Sequence, residues 1–160
     1  MDSRHPIQRH LPELLQLQSI MDRGSRWLRT DRVLEVSVSG QKLPVWVLEL
    51  GNPNPKVPVL GLFGGVHGVE RIGSQILLAW LHTLVERLHW DDALHQRLAR
   101  MRLVVMPMVN PGGMLLRRRS NPNGIDLMRN APVEALDRVP FLMGGQRLGA
   151  GLPWYRGRFG

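Results

Sequence analysis

The fold turns on residues 57–70, VPVLGLFGGVHGVE. The apolar run at 57–63 has the length and residue types of a short buried strand. It leads straight into Gly64, Gly65, Val66, His67, Gly68, Val69 and Glu70. Residues 72–88 then repeat apolar side chains at helical spacing, with Ile76, Leu77, Trp80, Leu81, Leu84, Val85 and Leu88 on one face. Further on, Asp91 and Asp92 are placed to cap a second helical piece that ends near Arg100. Residues 103–108 (LVVMPM) form another short buried strand, ended by Val109, Asn110, Pro111, Gly112 and Gly113.

Upstream of this unit the period changes. Residues 33–39 alternate, with Val33, Glu35, Ser37 and Ser39 between Leu34, Val36 and Val38. A turn at Gly40, Gln41 and Lys42 separates them from a second strand at 43–50 (LPVWVLEL), so the pair reads as an antiparallel hairpin. Residues 51–58 (GNPNPKVP) are a loop. Residues 12–21 (PELLQLQSIM) have helical periodicity, and Gly24 can stop that helix. From Met114 onward regular patterning is scarce.

The order hairpin, strand, helix, strand predicts an α/β fold, a partial mixed sheet with flanking helices in which a helical crossover joins two parallel strands. Residues 1–30 are read as an N-terminal helical segment and 31–160 as the main domain. Ligands of such sheets gather at the carboxyl ends of strands. Both glycine-rich loops, 64–68 and 110–113, fall there.

Composition narrows the chemistry. The 160 residues contain no cysteine, which excludes disulfide scaffolds, thiol nucleophiles and iron–sulfur sites. No apolar run reaches the ~18 residues that a membrane-spanning helix requires. Residues 1–12 carry no apolar stretch of the kind found in secretory leaders, so a cytoplasmic address is expected. The net charge is +8, almost all from arginine, since lysine occurs only at Lys42 and Lys56. A basic chain raises the alternative of a polyanion- or nucleic-acid-binding module. Against it, the arginines are scattered apart from Arg117, Arg118 and Arg119, and no aromatic series alternates with them as a base-stacking platform requires.

His67 and Glu70 form an H-x-x-E pair. Imidazole nitrogen and carboxylate oxygen both ligate zinc, and a three-residue spacing on a helical turn puts them on one side. The competing reading is a loop histidine beside a first-turn acid that suits the helix dipole. A second cluster bears on the choice: Asn110-Pro111-Gly112-Gly113, then Arg119, then Gly124-Ile125-Asp126-Leu127-Met128-Arg129-Asn130. With these motifs in this order, the sequence over about 57–130 resembles the zinc carboxypeptidases, the carboxypeptidase A-like metallopeptidases, and their relatives around succinylglutamate desuccinylase and aspartoacylase.

That resemblance implies a zinc-dependent hydrolase of peptide or amide bonds, acting through a metal-activated water. It makes His67 and Glu70 two of three Zn2+ ligands. It makes Arg119 the catalytic arginine that polarises the scissile carbonyl, with Arg118 a one-residue alternative. Arg129 and Asn130 become substrate-binding residues, Arg129 facing a terminal carboxylate, although Asp126 is also a candidate salt-bridge partner for it. The implied substrate is a peptide or small amide with an acidic end; the composition itself argues against a membrane partner and disfavours nucleic acid.

The sequence departs from the family pattern in three places. N-P-D-G is N-P-G-G here, at 110–113. Met128 replaces an asparagine and cannot donate to a carboxylate, which opens an amidase or deacylase variant. The histidine and the glutamate base that the family takes from later in the domain have no counterpart, because His82, His89 and His95 precede the second cluster and Glu134 and Asp137 match no family position. The chain therefore reads as the N-terminal half of such a domain, truncated or completed by a second chain. It is expected to bind metal weakly and to be inactive alone.

Overall fold

The computed structural model describes residues 10–129. Its frame is a hairpin of β1 (Arg29–Val38) and β2 (Gln41–Gly51), followed by β3 (Val59–Phe63) and β4 (Arg102–Met106). The four strands make one mixed sheet in the order β1-β2-β4-β3. β1 and β2 are antiparallel, β2 and β4 are antiparallel, and β3 and β4 are parallel, with Leu60 opposite Leu103 and Phe63 opposite Met106. The expected α/β architecture, with the 72–88 helix as the crossover between parallel strands, is what the chain adopts.

Around the sheet lie α1 (Pro12–Gly24), α2 (Ile72–Arg87), α3 (Asp92–Leu98) and α4 (Pro111–Leu116). A single 3-10 turn, Leu127–Arg129, ends the described chain. The core joins Leu17, Ile20 and Met21 of α1 to Leu78, Leu81 and Val85 of α2 and to Leu48 and Leu103 of the sheet. Asp91 caps α3, its carboxylate accepting from the Leu94 amide at 2.9 Å, as its position before the helix predicts.

Four local features differ from the pattern reading. The hairpin turns at Ser39 and Gly40, both at positive φ (49° and 77°), one residue earlier than the sequence indicates. Positive φ at both central positions matches the twist of the flanking strands. The alternation of β1 is broken by a bulge between Arg32 and Leu34, which leaves both Val33 and Leu34 exposed. β3 is an outer strand, with Val59, Leu60 and Phe63 exposed, because β4 is its only strand partner among the described residues. In α2 the buried face runs through Ser74, Leu78, Leu81, Leu84 and Val85, while Ile76 faces outward.

α4 arises where the sequence reads only as the end of a strand. Asn110 caps it, accepting from the Gly113 amide at 2.8 Å, and Pro111 occupies its first turn, where no amide hydrogen is required. Arg117 closes it in the left-handed region at φ 53°. After it the chain returns to the loop that leaves β3, where Gly68 N–H donates to Arg119 O at 3.4 Å.

Candidate active site

The loop leaving β3 is pinned to the chain leaving β4 by backbone bonds. Gly64 N–H donates to Met106 O at 2.9 Å, Val109 N–H to Gly64 O at 2.8 Å and Asn110 N–H to Gly65 O at 3.0 Å. The Asn110 side-chain amide then donates to Val66 O and to Ser120 O, each at 3.2 Å. One buried side chain thus caps α4, holds the loop before His67 and holds the loop after Arg119. Gly68 packs directly on the backbone of Gly113; a β-carbon there would overlap the Gly113 carbonyl group. That close approach, rather than any turn, is why position 68 takes glycine.

These constraints bring His67, Glu70, Arg119 and Asp126 into a closed ring. His67 Nδ1 lies 3.2 Å from Glu70 Oε2, and His67 Nε2 lies 3.2 Å from Asp126 Oδ1. Arg119 Nε donates to Asp126 Oδ2 at 2.9 Å, and Arg119 Nη1 donates to Glu70 Oε1 at 2.9 Å. His67 is buried and Asp126 has no exposed surface, whereas the Glu70 side chain is 56% exposed and marks the open side. Asp126 Oδ1 also accepts from the Met128 amide at 3.0 Å and so begins the 3-10 turn.

Burial pushes the Asp126 carboxyl up, but the hydrogen bonds from Arg119 and His67, together with their charges, outweigh it and hold its pKa below the ordinary aspartate value. Ionised, Asp126 is an acceptor. With Nε2 against Asp126, the imidazole turns Nδ1 toward Glu70. Nitrogen and oxygen ligands of a tetrahedral zinc, each ~2.0–2.1 Å from the ion, stand ~3.3 Å from one another. The 3.2 Å between His67 Nδ1 and Glu70 Oε2 suits two such donors. Among the described residues no group of three His, Cys, Asp or Glu side chains forms a metal cage.

The structure brings together His67, Glu70 and Arg119 of the residues singled out by sequence. Arg117 and Arg118 are exposed and are not part of the ring. The backbone of Arg129 lies in the 3-10 turn, its side chain is outside the described part, and Asn130 lies outside the described residues. Two residues that hold the site were not recognised from sequence as doing so. Asp126 sits inside a motif but is read there only as a partner for Arg129; its contact with His67 spans 59 positions and leaves no local trace. Asn110 followed by Pro111 is a legible helix start, obscured by the two glycines after it.

The sequence profile of the zinc carboxypeptidase family matches residues 29–142, which include all four members of the ring. The chain belongs to the zinc carboxypeptidase family. Carboxypeptidase SOL1 of Arabidopsis thaliana is 27% identical over 118 residues, covering 72% of this chain and 24% of that protein. Carboxypeptidase D of Drosophila melanogaster is 30% identical over 114 residues, covering 63% of this chain and 8% of that one. A metallo-carboxypeptidase from Burkholderia cenocepacia shares the fold, with a TM-score of 0.56 at 19% identity, covering 72% of this chain and 31% of its own. The chain thus spans about a quarter or less of the length of these two curated carboxypeptidases and about a third of that solved structure. The resemblance carried by H-x-x-E and the 110–130 cluster is borne out at the level of family and fold.

Proposed function

We propose that this chain contributes the first part of a zinc-dependent hydrolase site that cleaves a peptide or amide bond. The observation that carries the reading is the ring itself: one imidazole nitrogen and one carboxylate oxygen 3.2 Å apart, braced by a guanidinium and a buried aspartate. When bound, zinc activates a water and polarises the substrate carbonyl. His67 Nδ1 and Glu70 Oε2 are the donors offered to it. Asp126 holds the imidazole in the tautomer and orientation that expose Nδ1. Arg119 supplies a fixed positive charge beside the spot where negative charge develops on the carbonyl oxygen. In the proposed cycle it exchanges its contact with Glu70 for the substrate while keeping Asp126.

Arg129 and Asn130, which follow Asp126 directly in the sequence, are proposed to bind an acidic end of the substrate. The last histidine in the sequence is His95, on α3. We therefore propose that a further ligand and the general base come from additional polypeptide, and that these 160 residues bind zinc weakly and do not turn over alone. Arg119 is engaged by two carboxylates and so is not offered to a polyanion.

Isothermal titration with Zn2+ tests the reading. Binding that is lost in a His67→Ala, Glu70→Ala double variant supports it. Binding unchanged in that variant, or no binding by the parent protein, defeats it.

A further inference from the structure

The family match begins at residue 29, and α1 (Pro12–Gly24) lies before it. Yet α1 carries one of the most deeply buried charges in the molecule: Glu13 is 2% exposed. A carboxylate in that position is costly unless paired. Its partner is Arg71, the residue immediately after Glu70. Arg71 Nη1 donates to both Glu13 oxygens, at 3.3 and 3.4 Å, and Gln75 Nε2 adds a donor at 3.5 Å. Arg71 Nη2 donates to His10 O at 2.6 Å and to Met114 O at 3.0 Å.

One guanidinium therefore ties three segments together: the start of α1, the entry to α2 next to Glu70, and α4, whose continuation bears Arg119. Glu70 needs such a tie. Its carboxylate is held by His67 and Arg119, but the side chain is largely exposed and its own amide makes one backbone bond, to His67 O at 3.1 Å, so its backbone depends on the entry to α2. Were the ion pair present for stability alone, it would be a weak device, since buried pairs return little net energy over apolar packing. Its three-way reach beside Glu70 argues for orientation.

We infer that Glu13 and Arg71 are a positioning pair through which α1, a helix outside the family match, sets the placement of Glu70 and of the Arg119 loop. The metal-binding arm of this inference rests on the zinc reading above; the backbone arm does not.

The test uses the full 160-residue chain with Glu13→Gln, and Arg71→Lys as a second variant that keeps the charge but, as a compact ammonium, lacks the fork that spans Glu13, His10 O and Met114 O. Amide hydrogen exchange is read by NMR at Gly68, Glu70 and Arg118, whose bonds run to Arg119 O, His67 O and Gly113 O. Exchange at these three amides rises about tenfold while the β1–β2 amides stay unchanged, as a local opening requires. Co2+ affinity falls about tenfold, as for loss of an outer-sphere support, with an altered visible spectrum of the bound ion. Faster exchange confined to α1, or a lowered melting temperature with site amides and Co2+ spectrum unchanged, overturns the inference. A parent protein that takes up no Co2+ defeats the zinc reading, and the pair is then decided by the exchange data alone. If Glu13→Gln does not fold, Arg71→Lys is read by the same criteria.

Discussion

The hairpin and the candidate-site end of the sheet are built on different principles. β1 and β2 are neighbours in sequence, and their register follows from a two-residue turn and the backbone ladder. Most side chains of β1 are exposed and could change without moving the strand. The site end instead gathers residues 64–70, 110–120 and 126 through buried side chains, His67 bonding the Asp126 side chain and Asn110 bonding the backbone at Val66 and Ser120. Asn110 and Asp126 are buried and saturated with partners there. The comparison teaches how the two ends are fixed: backbone pairing makes the scaffold, and a few buried polar groups decide how His67, Glu70 and Arg119 are held together.

Removing a polar hub should therefore hurt more than any change on the hairpin. Asp126→Ala strips His67 of its Nε2 partner and leaves Arg119 with one carboxylate. We expect a loss of about 3 kcal/mol in urea unfolding, the scale for breaking a buried charge pair. Asn110→Ala comes next, at about 2 kcal/mol, the upper end for loss of a helix cap, because two further backbone bonds go with it. Arg29→Ala on the hairpin removes an ion pair with Glu49 whose arginine is exposed and should cost less than about 1 kcal/mol in the same assay. A hairpin variant as damaging as Asp126→Ala would break the distinction.

The smallest effect is a pH dependence at α3. The Leu94 amide and then the Arg87 side chain, both hydrogen-bonded to Asp91, lower its pKa. A depressed carboxylate contributes stability above its unfolded pKa, about 3.9, and loses it as pH falls through the folded value. Asn caps without titrating. Thermal melts of the parent and Asp91→Asn should thus converge or cross as pH drops below about 4, and parallel melts at all pH values would contradict the assignment.

Much of the scaffold was legible because its period is local. The helix at 12–24, the hairpin and the strand–helix–strand unit each announce themselves within a dozen or so residues. The face read from periodicity holds for Leu81, Leu84, Val85 and Leu88 and fails at Ile76, which is exposed, and at Leu78, which is buried; apolar residues lie nearly all round the helix, so periodicity alone cannot settle those two. β3 was read as buried because an apolar run does not reveal how many neighbours it has. At the site, His67, Glu70 and Arg119 were legible as motif positions. The ties from Asp126 to His67 and from Glu13 to Arg71 cross 59 and 58 positions, and no pattern within one chain segment encodes them.

The outer flank of β3 has a practical corollary. Residues 59–63 carry no lysine, proline or acid to discourage sticking, so repulsion between like-charged molecules at +8 is the force expected to oppose association. Since salt shortens the reach of that repulsion to about 10 Å at 0.1 M, dilute low-salt buffer is the medium in which purified preparations should remain clear, and turbidity should rise with added sodium chloride.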